Sequence, residues 1–484
     1  MRRWLQSLIL PLSGGALLAA CAQFGTSSPP AVMSGMPESR RSLQDGLSHY
    51  SGRSAWPREN WWMSFGQPEL NRLMETALAG NPDLKTAAAR LRQSQALVDA
   101  EAADLYPTVD AHISFSAQRF SANSVQAKFA GEDFRLSLVD PFVLRYHLDF
   151  WGSDRASLQA AVDHSFAVAA EWADARLLLT AAVAGTYFDL LVADSHRRIA
   201  EQLVADLDRL LRLELTRRVA GLSADAPTLV AESAVQEARQ TLATAQASVQ
   251  LARHRLATLT GKGADWGRWI AAGELAHIDP PAFPRDLPLR FLEHRPDLAA
   301  ARLEAESVSE SVKVAQTAFY PDVNLIAFAG LHSVSLSDVL LQGSSLAYAV
   351  GPSVTFPIFE GGRLRARLAD REAAYDVAVE RYNATLLRAI QDVADALTRW
   401  RELDLRLTEQ VHRAGDAERV MRLAESLSTA GLSDASGPLR ARIELTLQNW
   451  RLASLKGEQG KAAVALCRAL GGGYQLRQET GSRG

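Results

Sequence analysis

The chain has 484 residues, 47 % hydrophobic and 22 % charged, with 52 basic against 55 acidic side chains and a formal net charge of −3. That balance argues against a nucleic-acid-binding protein, which needs a basic face. Two cysteines exclude a disulfide-rich scaffold.

Met1-Arg2-Arg3 supplies a short positive segment, Leu5 to Leu18 is apolar, and the stretch ends Leu18-Ala19-Ala20-Cys21. This is the pattern of a secretory signal over residues 1–20, too short for a membrane anchor and closed by small residues. Cysteine directly after Leu-Ala-Ala resembles a bacterial lipobox, in which Cys21 is acylated and becomes the first residue; a plain signal peptide with a chance cysteine is the alternative. Ala22, rather than Asp, implies by the same resemblance release to the outer membrane. Loss of residues 1–20 removes Arg2 and Arg3, so the charge becomes 50 − 55 = −5. Residues 21–60, rich in Ser, Pro and Gly, predict a flexible tether. Cys467 is then the only thiol, and its apolar helical surroundings predict a buried small hydrophobe. No run of 18 apolar residues follows the signal, which predicts no spanning helix; any membrane crossing must use strands.

The sequence then repeats itself. Asn81-Pro82-Asp83-Leu84 recurs as Arg295-Pro296-Asp297-Leu298, and Tyr106-Pro107 as Tyr320-Pro321, both 214 residues later. Ala220-Gly221-Leu222-Ser223 recurs as Ala430-Gly431-Leu432-Ser433, 210 residues later. Offsets this similar predict two copies of one large unit. Their bounds are set at 61–262 and 287–473, with a linker at 263–286 and a tail at 474–484.

In the first copy, residues 108–118 alternate strictly, with Val109, Ala111, Ile113, Phe115 and Ala117 against Asp110, His112, Ser114, Ser116 and Gln118. This length and period suit a strand crossing a bilayer. A second strand is predicted near 138–150, where Leu144, Tyr146, Leu148 and Phe150 oppose Arg145, His147 and Asp149. Asp110, His112, Arg145 and His147 would then face a watery lumen; a soluble hairpin with one wet face is the alternative. From Ser153 to Ala220 the chain is helical in pattern, broken only by Gly185, and the paired acids Asp206 and Asp208 are expected on solvated faces. Pro227 suits the first turn of the next helix. Val235, Ala238, Leu242, Ala245, Val249, Ala252, Leu256 and Leu259 then alternate spacings of three and four, the seam of a coiled coil, and Gly261 caps it.

The second copy has strand patterns near 322–332 and 346–358, a Gly361-Gly362 turn, and a long helix from Arg363 to Thr429. Its seam runs Leu364, Leu368, Tyr375, Val379, Tyr382, Leu386, Ile390, Val393, Leu397. Two-thirds of that stretch would already be about 65 Å long, too long for a compact domain without partner helices. Lipid offers no hydrogen bonds, so a membrane sheet must close on itself, and four strands are too few for one chain. Several chains must therefore pool their strands.

These pieces resemble the TolC-like outer-membrane efflux family, in its lipoprotein (NodT-type) branch of tripartite RND-type pumps. The likeness spans Trp61-Trp62 with Phe65, Pro82-Asp83-Leu84, Tyr106-Pro107, Asp149-Phe150-Trp151-Gly152, Arg295-Pro296-Asp297-Leu298, Tyr320-Pro321, Phe356-Pro357-Ile358-Phe359-Glu360-Gly361-Gly362 and Ala469-Leu470-Gly471-Gly472-Gly473-Tyr474. It implies a mostly α fold with a small β part: two tandem repeats whose coiled-coil helices form a periplasmic tunnel, and four transmembrane strands per chain in a shared trimeric barrel of twelve strands. The implied partners are a homotrimer, a periplasmic adaptor (membrane-fusion) protein, an inner-membrane transporter, and outer-membrane lipid through acylated Cys21. The implied gate lies at the helix turns, here Gly221, Leu222, Gly431 and Leu432, with constricting rings at places held by Ser436 and Arg440. Where relatives carry a leucine and an aspartate, this chain departs. Three arginines near an axis would repel unless paired with Glu444, Asp434 or Asp225; alternatively Arg440 only solvates its helix.

No HxH or HxxxH pair, CxxC, GxSxG or phosphate loop occurs, so neither catalysis, metal nor cofactor is expected. The expected function is a passive exit duct for an efflux pump. The alternatives are a type I protein-secretion duct, a lipid-anchored coiled-coil scaffold or adhesin, and, least favoured, an anchored hydrolase.

Overall fold

The computed structural model describes residues 29–35, 50, 52–123, 127–131, 133–284, 294–334 and 345–475. Cys21 and the proposed signal lie outside them. The elements run α1 (Pro68–Gly80), α2 (Pro82–Ala103), β1 (Thr108–Arg119), β2 (Asp133–His147), α3 (Ser153–Val219), α4 (Asp225–Leu259), α5 (Pro296–Thr317), β3 (Asp322–Ser333), β4 (Leu346–Thr355), α6 (Arg363–Thr429) and α7 (Ser436–Ala469). Helix, two strands and two long helices thus occur twice, as the sequence echoes require.

The chain divides into two units. Of the described residues, the first holds those in 29–33, 92–167 and 301–382, and the second those in 34–91, 168–300 and 383–475. In the first unit the four strands form one antiparallel sheet ordered β1-β2-β3-β4. Its helical part packs Ala305, Ala378 and Val379 against Val308, Tyr375 and Met33. Ser307 Oγ donates to the Ala160 carbonyl at 2.7 Å, a short reach that small residues permit.

The second unit carries the main core: Trp61, Trp62, Leu70, Leu73, Met74, Tyr187, Phe188, Leu190, Leu191, Leu256, Ile270 and Trp400. Each such side chain contributes about 1.5–3 kcal/mol by leaving water. The α4 seam is buried at Val235, Ala238, Ala245, Val249, Ala252 and Leu256, with Leu242 and Leu259 half-buried. Cys467 is buried there too, its thiol pushed up to about 12 by the loss of water. One apolar stretch bears on the expected lack of a spanning helix. α3 contains an 18-residue window of mean hydropathy 1.5, long and apolar enough to cross a membrane by composition. That window is 61 % buried, as a core helix demands.

Candidate functional site

The strands present two chemically different faces. Directly opposed residues of an antiparallel pair share a face, so the register sorts them. Val109 opposes Leu144, and Ile113 opposes Val139. On β3 and β4, Val323 opposes Val354, Leu325 opposes Pro352, and Ala327 opposes Val350. The large apolar side chains of β4 on this face stand out, Tyr348 at 77 % and Val350 at 73 % exposure. The other face carries Thr108, Asp110, His112, Ser114 and Ser116 on β1 and the small Ala347, Ala349, Gly351, Ser353 and Thr355 on β4, together with the apolar Val143 of β2 and Ile326 and Phe328 of β3.

The second strand departs from expectation. It starts at Asp133 and ends at His147, so Leu148, Asp149 and Phe150 are not strand. Phe150 N–H turns back to the Leu148 carbonyl at 2.7 Å, and the Asp149 carboxylate accepts the Arg155 backbone N–H at 3.2 Å, a helix cap for α3. Between Val139 and Phe142 the register against both neighbours shifts, because β2 carries one residue more. Pro141, which has no N–H to give, stands at this bulge. Beyond it the alternation inverts, placing Asp140, Leu138 and Leu136 on the face of His112, Ser114 and Ser116. Similarly β4 ends at Thr355 rather than 358, since Pro357 lacks a ladder donor.

The proposed lumen residues are engaged. Arg145 Nη1 lies 3.3 Å from Asp110 Oδ2 across the polar face. His147 lies between Asp154 and Asp322, at 2.5 and 3.2 Å. His112 stands opposite Asp140, which is bound to His332 Nε2 at 2.7 Å. Sequence reasoning missed Asp140, which the bulge brings to this face, and His332, which β3 presents there.

At the proposed gate, in the second unit, Gly221 and Gly431 adopt φ of +70° and +73°. Each ends a long helix, and the following Leu N–H reaches back to the Arg217 or the Leu427 carbonyl at 2.8 and 2.9 Å. The repeated Ala-Gly-Leu-Ser is therefore a helix-ending turn that needs glycine's left-handed backbone. Leu222 and Leu432 are 73 % and 75 % exposed.

Ser436 is buried, and both its N–H and its hydroxyl donate to Asp434 Oδ1. Arg440 is exposed and reaches Glu214 at 3.5 Å, a carboxylate whose side chain is only 5 % exposed. The three acids expected for Arg440 have other partners: Asp434 pairs with Arg217 at 2.6 Å, Asp225 with Arg218 at 3.5 Å, and Glu444 accepts from Gln448. Asp206 corrects another expectation. It is fully buried, not solvated, and Gln202, Arg209 and Arg442 surround it at 2.8, 3.2 and 4.0 Å. Asp208, partly exposed, pairs with Arg239 at 3.4 Å. Arg217 and Arg442 were overlooked; Arg217-Arg218 directly before the first turn was the available signal. Among the described residues no group of three or more His, Cys, Asp or Glu is arranged to hold a metal ion.

The outer membrane efflux protein family matches residues 73–262 and again 287–472. The chain belongs to that family. It is 28 % identical over 479 residues to the multidrug resistance outer membrane protein MdtP of Escherichia coli O6:H1, covering 96 % of each chain. It superposes on the outer-membrane channel OprN with a TM-score of 0.82 at 26 % identity, over 93 % of this chain and 99 % of the other. VceC from Vibrio cholerae matches with a TM-score of 0.77 at 30 % identity, over 87 % and 100 %. As an outer membrane efflux protein, the chain is a passive duct of the outer membrane reaching into the periplasm, and not an enzyme.

Proposed function

We propose that the chain is the exit duct of a tripartite pump, assembled from three copies whose sheets join into one twelve-stranded barrel. One observation carries this reading. A four-stranded sheet with one large, exposed apolar face and β1 and β4 at its edges is unsuited to a lone chain, in water or in lipid. Addition of two more copies removes the edges and turns the apolar face to lipid.

The helices continue the barrel as a periplasmic tunnel. The turns at Gly221-Leu222 and Gly431-Leu432 are its resting constriction, and their exposed leucines are the apolar contacts offered to an adaptor. Acylated Cys21 tethers each protomer to the outer membrane. The cargo is small organic solute, the reading supported by the multidrug resistance names of MdtP and MdtQ. An inner-membrane transporter supplies the energy.

The test is extraction and reconstitution. The purified chain should need detergent, have the mass of a trimer, and conduct ions in planar bilayers. A water-soluble monomer that carries no current would sink the reading. Cys21→Ser should abolish lipid labelling while barrel assembly persists, because closure depends on strands.

A further inference from the structure

Within the first unit, the two strand-to-helix exits are finished differently. β2 leads into α3 through Leu148-Asp149-Phe150-Trp151-Gly152, and β4 leads into α6 through Phe356-Pro357-Ile358-Phe359-Glu360-Gly361-Gly362. The entrances are Tyr106-Pro107 before β1 and Tyr320-Pro321 before β3. β2 and β3 are neighbours, so the first repeat's exit lies beside the second repeat's entrance. This seam is closed. The Trp151 and Tyr320 rings stack with centroids 4.9 Å apart at 20°, and Trp151 Nε1 donates to the Pro321 carbonyl at 2.7 Å. Leu148 N–H adds a bond to the Val323 carbonyl at 2.8 Å.

The complementary halves find no such partner among the described residues. Tyr106 is 70 % exposed, Ile358 85 % and Phe359 89 %. A cavity of about 900 Å³ separates this exit from the closed seam, with Phe356, Ile358 and Phe359 on one side and Trp151, Tyr320 and Pro321 on the other.

The geometry points to a second copy of this chain as the occupant: Tyr106-Pro107 of one protomer packs on Phe356, Ile358 and Phe359 of the next. The inference rests on the pooled-barrel reading and specifies its seam. Among the described residues the three strand pairs of the sheet are antiparallel, and Thr108 lies opposite Arg145, His147 opposite Asn324, and Asp322 opposite Thr355. The start of β1 and the end of β4 are therefore at the same end of the sheet. An antiparallel pairing of β4 with the next copy's β1 sets the residues before Thr108 beside those after Thr355. That is the relation Tyr320-Pro321 already has to Trp151.

The two seams differ at several positions, Ile358 standing where Asp149 stands and Pro357 where Leu148 does, and one difference removes a hydrogen-bond donor. Phe150-Trp151-Gly152 corresponds to Phe359-Glu360-Gly361, so Glu360 stands where the indole donor stood. Its carboxylate accepts from Arg363 Nε at 2.7 Å and has no proton to give the Pro107 carbonyl. Beyond the strand ladder itself, the contact between Tyr106 and these side chains is ring burial without an indole hydrogen bond.

The experiment is cross-linking of a Tyr106→Cys, Phe359→Cys double variant of the full chain with a short bismaleimide, beside native mass measurement in detergent. Covalent dimers and trimers on a denaturing gel, absent from either single variant, are expected. Monomers only, from material of trimer mass, would overturn the seam and leave these aromatics facing lipid, with the pooled barrel intact. A native mass of one chain would instead overturn the pooled barrel. Tyr106→Ala should lower the temperature at which the oligomer dissociates in detergent and Tyr106→Phe should not; equal behaviour of the two would count against ring packing.

Discussion

Arg217, at the end of α3, holds Asp434, just before α7, through a contact of 2.6 Å. One ion pair thus joins the turn of the first repeat to the turn of the second. The Asp434 carboxyl is drawn down to about 2 from an ordinary 3.8 by hydrogen bonds from Ser436 and Arg217. The group is depressed on folding, so its contribution is complete above about 4 and is lost as pH falls towards 2.

If these turns are the constriction, conductance in planar bilayers should be flat from neutral to mildly acidic pH and rise only below about 4. Arg217→Ala and Asp434→Asn should each raise conductance at neutral pH, and the double variant should add little to either, because both remove the same pair. Additive effects would show that the residues act separately. Both side chains are partly exposed, so high salt should weaken the tie as well.

A different outcome is expected at Arg440. Its partner Glu214 is buried, and the loss of Arg440 strands that carboxylate away from water. Arg440→Ala should raise leak current or antibiotic uptake while the oligomer keeps its mass. Glu214→Gln together with Arg440→Ala should restore much of the lost stability, since no buried charge then remains unpaired. Unchanged leak at normal expression would place Arg440 outside the pore.

Much of this was legible because periodicity and glycine are local signals. The seam in α4 could be traced residue by residue, and Ala-Gly-Leu-Ser marked both turns before its left-handed glycines were visible. β2 was less legible: its bulge at Pro141 inverts the alternation, so a single period reads only its lower half correctly. Asp206 was misplaced for another reason. One of the groups around it, Arg442, lies 236 residues later at 4.0 Å, and no spacing rule along α3 contains that contact. The Arg440–Glu214 pair was missed in the same way, since the acids near Arg440 in sequence are committed elsewhere.

Arg295, which stands in the second copy where the first has Asn81, is a nearly buried junction in the second unit. It grips Asp297 in two contacts of 2.6 and 3.0 Å, reaches Asp392 at 3.2 Å, and donates to the Ala389 and Ala469 carbonyls. Its removal leaves acids and carbonyls unpaired, so Arg295→Ala should cost about 3–5 kcal/mol of stability. Nearby Asp174 is held up to about 6 by burial and by Asp297. An acid raised on folding is least favourable where it must ionise. Asp174→Asn should therefore raise the thermal midpoint at pH 7, with the gain shrinking as pH falls through about 6.

Gly460 and Gly185 separate packing from backbone entropy. A Cβ on Gly460 would lie 2.6 Å from Phe188 Cδ1, and Phe188 is 1 % exposed with no room to yield. Gly460→Val should therefore destabilise by about 1–3 kcal/mol through overpacking. A Cβ on Gly185, inside α3, meets nothing within 4 Å. There the substitution only restricts the unfolded chain and favours helix, so Gly185→Ala should stabilise by about 0.5–1 kcal/mol. Thermal unfolding followed by circular dichroism should move the two midpoints in opposite directions. Destabilisation by Gly185→Ala would mean that a surface outside the described residues closes on α3 at that position.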